Sequence, residues 1–270
     1  MLLVPGYGGS TGSLEVLAAK IRANRRTATV VPLAGNGTGD LQVQANVLNG
    51  YVNQALRDGP VTVIGYSAGG VVAWLWDVEY GGATKAREII TLGSPLHGTS
   101  LAALGEAFVP GECPQACEQL VPGSALLTRL SHSDPASRPR WLSLWTTDDQ
   151  VVQPPDSASL PGAVNVPLQS VCPGVSIQHG QLPSTPLVIG IILNEIAHPG
   201  RSAPTAADCR ALLTSASLPL ISLVRIIRPI SHIMREYAKF RKIRDGKNLR
   251  SGGKVEHRGA AWQERTREPR

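Results

Sequence analysis

The five residues Gly65-Tyr66-Ser67-Ala68-Gly69 restrict this chain more than any other stretch of it. They join an apolar, β-branched run, Val61–Ile64, to a second apolar run that begins at Ala68 and continues to Glu79. The first run has the composition of a buried strand and the second that of a buried helix. A strand that becomes a helix across one residue makes a tight, strained turn, and a glycine on either side leaves room for close backbone approach. The serine at the apex then projects its hydroxyl above the sheet, beside the positive end of a helix dipole. A Gly-rich turn with a bystander serine is the bland alternative, but motif and context together favour a nucleophile at Ser67.

The rest of the chain supplies the sheet this turn needs. Short runs with strand composition lie at Leu2–Pro5, Thr27–Leu33, Val61–Tyr66, Glu88–Leu92, Trp141–Thr147 and Ala163–Leu168. Helical stripes alternate with them: Leu14, Leu17, Ala18 and Ile21; then Leu41, Ala45, Leu48, Val52 and Leu56; then Ala68–Glu79; and finally Leu187–Ile196. This alternation predicts an α/β protein with a mostly parallel central sheet and helices on both faces. Residues 95–140 have no clear strand and hold helical stretches near Leu101–Phe108 and Ser124–Leu130, so they read as an insertion before the late strands. Such an insertion is placed either to cap the active face or to make a surface excursion. The 270 residues suffice for one well-packed domain, and no apolar run reaches the roughly 18 residues of a membrane span.

Charge divides the chain in two. Of 26 Lys and Arg, 14 lie from Arg225 onward against 5 Asp and Glu, a net of +9, while the preceding residues hold 12 against 15, a net of −3. Residues 1–217 therefore read as a mildly acidic catalytic body, and residues 218–270 as a basic, disordered extension without periodicity. The extension lacks the interleaved aromatics and the motifs of a nucleic-acid binder, so no nucleic-acid partner is expected. A basic apolar stretch such as Leu220–Ile233 is able to lie on an anionic membrane, although a solvated extension is the commoner outcome.

Cys113, Cys117, Cys172 and Cys209 are even in number. Cys113 and Cys117 have three residues between them, with no second pair at zinc spacing and no neighbouring histidine, so a metal site is not expected. Two disulfides, most simply Cys113–Cys117 and Cys172–Cys209, fit better and imply an oxidising compartment. The chain begins inside its first core strand, Leu2–Pro5, without the basic and apolar regions of a secretory signal. An upstream segment carrying that signal is expected, and a mass spectrum of the native protein that starts at Met1 would contradict it.

A serine nucleophile needs a base, an acid to orient it and donors for an oxyanion. With the strand–turn–helix elbow in place, the partners follow in the chain order Ser, acid, His. His97 and His132 precede any plausible acid, and His232 and His257 lie in the extension. His179, in a loop after the last strand, is favoured over His198, which follows the closing helix. The strand Trp141–Thr147 runs into Asp148-Asp149, of which Asp149 is the choice and Asp148 the runner-up. The Ala68 amide supplies one oxyanion donor, and the glycine-rich loop Pro5-Gly6-Tyr7-Gly8-Gly9 the other, from Tyr7 or alternatively Gly8. Ser94 and His97, in Gly93-Ser94-Pro95-Leu96-His97-Gly98-Thr99, read as part of a structural turn beside the site.

Taken as an ordered set, these segments resemble the secreted lipases and esterases of actinobacteria, within the α/β-hydrolase superfamily. The likeness rests on Val4 to Gly9, Gly35 to Asp40, Gly65 to Gly70, Gly93 to Thr99, the Cys113/Cys117 pair, Thr146 to Asp149, and His179 followed by Leu182-Pro183, and it covers roughly residues 1–215. The resemblance implies an α/β-hydrolase fold and an extracellular hydrolase of acylglycerols or simpler carboxylic esters; a monomer is expected. It implies no organic cofactor, and substrate met in solution or in transient contact with a lipid–water interface. It supports Asp149 and His179 as acid and base, and implies the pairings Cys113–Cys117 and Cys172–Cys209. The family pattern includes an upstream segment that this chain lacks, and the residues after about Leu218 match nothing in it. An acyltransferase or thioesterase with the same three residues, or a hydrolase-fold binding module, are the rival readings.

Overall fold

The computed structural model describes residues 1–103, 113–133 and 139–217. Six strands form one sheet: β1 (Leu2–Val4), β2 (Thr29–Val30), β3 (Val61–Tyr66), β4 (Ala86–Leu92), β5 (Arg140–Trp145) and β6 (Val164–Pro167). Their order is β2-β1-β3-β4-β5-β6, and every neighbouring pair is parallel. Parallel neighbours need crossover connections, and the helices supply them. These are α1 (Gly12–Ala23), α2 (Leu41–Ala55), α3 (Ala68–Tyr80), α4 (Gly82–Lys85), α5 (Gln115–Gln119), α6 (Ala125–Ser131), α7 (Leu168–Val171), α8 (Pro186–Ala197) and α9 (Cys209–Ser217).

The two-residue period of the strands sorts their side chains between two cores. Leu2, Val4, Val63, Ile89 and Trp141 face α2, α3, α5 and α6, where Trp74 and Trp76 are fully buried. Leu3, Ile64, Ile90, Leu142 and Val166 face α1, α7, α8 and α9. Both faces are covered, which explains why the central strands read as continuous apolar runs and not as alternating ones. The helix α3 is buried from Ala68 through Asp77, because it lies between β3 and the outer layer of α2.

Three boundaries differ from the expectation. The run Thr27–Leu33 predicts a seven-residue strand, but only Thr29 and Val30 pair, at the sheet edge where one neighbour is missing. The strand expected to end at Thr147 ends at Trp145, so Asp149 sits in a turn beyond it. Helix α9 has no counterpart in the sequence reading; it is fixed by the Cys172–Cys209 disulfide at its first residue and by burial of Leu212 and Ala216. Both expected disulfides are formed, with Cα–Cα distances of 5.6 Å for Cys113–Cys117 and 5.2 Å for Cys172–Cys209. Most of the expected helix Leu101–Phe108 and the whole expected extension 218–270 lie outside the described residues.

Candidate active site

The end of β3 and the start of α3 meet at Ser67, whose backbone is held at φ 53° and ψ −129°. A side chain in this conformation costs on the order of 1–3 kcal/mol and persists only where its surroundings determine it. Here the Ser67 N–H donates to the Leu92 carbonyl of β4 at 2.9 Å, and the Gly70 N–H donates to the Ser67 carbonyl at 2.9 Å. The flanking glycines are steric requirements. A Cβ on Gly69 would lie 2.3 Å from the Val4 carbonyl oxygen, and one on Gly65 would lie 2.5 Å from the Gly70 Cα.

Two loops beyond the carboxyl ends of the late strands bring the other residues to this apex. His179 opens a short 3₁₀ turn, His179–Ser184, and its Nε2 lies 3.0 Å from Ser67 Oγ. Its Nδ1 lies 2.7 Å from Asp149 Oδ2. A carboxylate only accepts, so the Nδ1–H donates to Asp149 and Nε2 is left to accept the serine proton. The other oxygen, Asp149 Oδ1, accepts the N–H groups of Val151 at 2.9 Å and Val152 at 2.8 Å. All three residues are buried: Ser67 is 9% exposed, His179 6% and Asp149 2%.

The structure thus brings together Ser67, His179 and Asp149 and leaves the alternatives apart. Asp148 is half-buried and donates its backbone N–H to Thr146 Oγ1 at 3.2 Å. His198 caps α8, exposed, with Nδ1 3.3 Å from the Asn194 carbonyl, and His132 is likewise exposed at the end of α6. His97 faces solvent with Nδ1 3.1 Å from the Ser157 carbonyl. Ser94 is fully buried against α3, where a Cβ on Gly70 would lie 2.0 Å from its Oγ.

The loop after β1 lies against Ser67. A Cβ on Gly6 would come within 2.8 Å of the Ser67 Cβ, and the Gly9 N–H closes the loop on the Gly6 carbonyl at 3.0 Å. Tyr7 follows Gly6 directly. Ala68, on the other side of Ser67, is the first residue of α3, where an amide has no intrahelical acceptor. Among the described residues, no group of three or more His, Cys, Asp or Glu is placed to hold a metal ion.

Several contacts around the site have no signal in the sequence. The ring of Tyr66 lies 5.2 Å from that of His179, and its hydroxyl donates to the His179 carbonyl at 3.3 Å. Burial, together with the nearby Asp149 carboxylate, pushes the Tyr66 phenol up to about 12. Thr146 Oγ1 donates to the Ile177 carbonyl at 2.7 Å and accepts from Gln169 Nε2 at 2.9 Å, which ties the loop of Asp149 to the loop of His179. Gly93, at φ 53°, lets β4 end against the pair: a Cβ there would lie 3.1 Å from Asp149 Oδ2. None of these contacts follows a local spacing rule; each joins residues distant in sequence.

Six parallel strands covered on both faces, with a strained strand-to-helix elbow at the carboxyl end of β3, define an α/β-hydrolase fold. Among solved structures, the chain is similar to the lipase B of Aspergillus fumigatus, with a TM-score of 0.66 and 18% identity, covering 81% of this chain and 57% of that one. It is also similar to the mature lipase BlEst2 of Bacillus licheniformis, with a TM-score of 0.58 and 17% identity, covering 72% of this chain and 89% of that one. A third likeness is to a structure from work on the metagenome-derived lipolytic enzymes LipS and LipT, with a TM-score of 0.54 and 16% identity, covering 73% and 92% of the two chains. The chain thus spans less than two thirds of the fungal lipase it matches. No family model and no curated protein matches the sequence.

Proposed function

We propose that this chain is a serine carboxylic-ester hydrolase, a lipase or esterase that cleaves acylglycerols or simpler esters through an acyl-enzyme. The observation that carries this reading is the unbroken hydrogen-bonded chain from Ser67 Oγ through the His179 imidazole to Asp149, mounted on the strained elbow. The likeness in fold to lipases and esterases agrees with it.

In the proposed reaction, Ser67 Oγ attacks the ester carbonyl carbon while His179 Nε2 takes the hydroxyl proton. Negative charge moves to the carbonyl oxygen, where the Tyr7 and Ala68 amides donate to it. When the tetrahedral species collapses, the alcohol leaves with the proton from His179. Water then gives a proton to His179 and attacks the acyl carbon, and the carboxylic acid departs as Ser67 regains its hydrogen. Asp149 fixes the tautomer of the ring and stabilises its transient positive charge. The sequence of steps uses no cofactor.

The two disulfides are bonds that persist in oxidising surroundings, which supports an extracellular site of action. Residues 1–217 are the hydrolase body, acting as a monomer, and residues 218–270 are an appended basic extension. Tyr7, Leu101 and Val151 are 44%, 50% and 37% exposed. Tyr7 lies in the loop against Ser67 and Val151 in the acid loop, which suits brief contact of this rim with a lipid–water interface. The test is hydrolysis of p-nitrophenyl esters from acetate to palmitate by the native chain and by Ser67→Ala. Activity in the native chain and silence in the variant support the reading, and the chain-length profile separates esterase from lipase. A folded native chain inactive on every ester, or a fully active Ser67→Ala, overturns it.

A further inference from the structure

The segment Gly93–Thr99 has no role in the reaction above, yet its last residue is bonded into the acid loop. Thr99 is 6% exposed, and its Oγ1 donates to the Val151 carbonyl at 2.7 Å and accepts the Gln153 N–H at 3.0 Å. The neighbouring Ser100 N–H donates to the Gln153 carbonyl at 2.8 Å. Val151 is itself one of the two residues whose N–H groups hold Asp149 Oδ1. The hydroxyl of Thr99 therefore stands one peptide away from the carboxylate that orients His179. On its other side, the Thr99 N–H donates to the Leu120 carbonyl at 3.0 Å, at the end of the α5 segment closed by Cys113–Cys117.

We propose that Thr99 is a positioning residue for Asp149: its hydroxyl fixes the Val151–Gln153 backbone, and its amide ties that loop to the disulfide-stapled insertion. The proposal rests on the assignment of Asp149 as the acid of the hydrolase. The chemistry favours a threonine here. One hydroxyl both donates and accepts, and it pairs with the Val151 carbonyl and the Gln153 amide at once. A valine of the same shape leaves both unpaired, and the loop relaxes away from its place. Small displacements of an orienting group are costly in rate while leaving substrate binding intact.

The experiment compares Thr99→Val, Thr99→Ser and Thr99→Ala with the native chain, in steady-state hydrolysis of a p-nitrophenyl ester, with thermal midpoints measured in parallel and Ser67→Ala as the control. The expected result is a fall in kcat of about 10- to 100-fold for Thr99→Val with KM within about twofold, and kcat within about threefold of native for Thr99→Ser. The serine rescue identifies the hydroxyl as the active element, which a role in packing alone would not reproduce. If Thr99→Val does not fold, the serine and alanine variants carry the same comparison. Unchanged kcat in Thr99→Val or Thr99→Ala, or equal loss in the serine and alanine variants, overturns the proposal and leaves the hydrolase reading standing. Activity that survives in Ser67→Ala brings down the hydrolase reading, and the role of Thr99 falls with it.

Discussion

The two ends of the sheet each bury carboxylates, and they do so in opposite ways. At the carboxyl ends of the strands, Asp149 is 2% exposed and fully provided for: two backbone N–H groups hold one oxygen and the His179 ring holds the other. At the amino ends of β4 and β5, Glu88 and Glu195 are 5% and 6% exposed and both face Arg140, while Glu195 Oε1 also accepts the Gly200 N–H at 2.8 Å. Arg140 Nε stands 3.4 Å from Glu88 and its Nη2 stands 3.3 Å from Glu195, both at the long end of an ion pair. Burial, with the adjacent Glu195 carboxylate and against the pull of Arg140, pushes the Glu88 carboxyl up to about 8. The first end keeps an acid in one place with its charge satisfied. The second cross-links β4, β5 and α8 at the expense of a carboxyl that ionises reluctantly. Equal burial therefore says little about what a carboxylate does; its donors decide.

Neutralising the acid at each end of the sheet separates the two carboxylates most clearly. Asp149→Asn preserves the shape of the side chain but can present an N–H to His179 Nδ1 and reverse the tautomer. We expect kcat to fall by about 10³- to 10⁴-fold with a thermal midpoint near that of the native chain. A loss below about tenfold would show that Asp149 does not orient the ring.

A structural element on the opposite face of the sheet from α3 gives the converse result. In α8, a Cβ on Gly190 would lie 2.1 Å from the Leu212 carbonyl oxygen, so Gly190→Ala must push α9 away. The expected effect is a loss of roughly 2–4 kcal/mol in unfolding free energy, read by urea denaturation, with kcat per folded molecule unchanged. A large change in kcat at constant stability would mean that α8 and α9 act on the base loop more directly than their contacts indicate.

These two variants also mark how far the sequence could be read. The elbow was legible because its glycines answer a local steric demand: a Cβ at Gly65 or Gly69 collides with backbone only a few residues or one strand away. The strand-to-loop order of Asp149 and His179 was legible because the alternation of apolar runs fixes which ends of strands face the same way. The contacts of Thr146, Thr99 and Tyr66 were not, since each pairs a common polar residue with a carbonyl 31, 52 or 113 positions on. The cluster of Glu88, Arg140 and Glu195 was not legible, because nothing in their spacing shows that β4, β5 and α8 converge. Helix α9 escaped because its buried stripe consists of only Leu212 and Ala216.

Replacing Glu88 by glutamine tests the other half of the comparison. The folded chain holds the Glu88 proton up to about pH 8, whereas an unfolded chain releases it near the ordinary glutamate value of 4.5. Between those values the folded state binds one proton more, so native stability declines as pH rises and the full penalty is present above about 8. Glu88→Gln cannot ionise and should flatten that decline, gaining on the order of a few kcal/mol relative to the native chain at pH 9 compared with pH 5. Thermal midpoints across this range give the answer. Parallel slopes for the two proteins would mean that the proton resides elsewhere in the cluster.

The smallest effect belongs to Tyr66, whose ring lies against that of His179. Its hydroxyl bond to the His179 carbonyl is long, at 3.3 Å, while its ring lies against the imidazole over a larger surface. Tyr66→Phe keeps the ring and removes only the bond, so kcat should fall by no more than about threefold, consistent with about 0.5 kcal/mol for a weak hydrogen bond. Because the phenol is pushed up to about 12, it stays protonated through the working range, and the alkaline side of the pH–rate profile should be the same for both proteins. Tyr66→Ala, which removes the ring as well, should cost at least tenfold more than Tyr66→Phe. If instead the phenylalanine variant loses as much as the alanine variant, the hydroxyl and not the ring holds the base loop. The carboxyl end of the sheet would then depend on single long-range bonds to the same degree as the Glu88 cluster does.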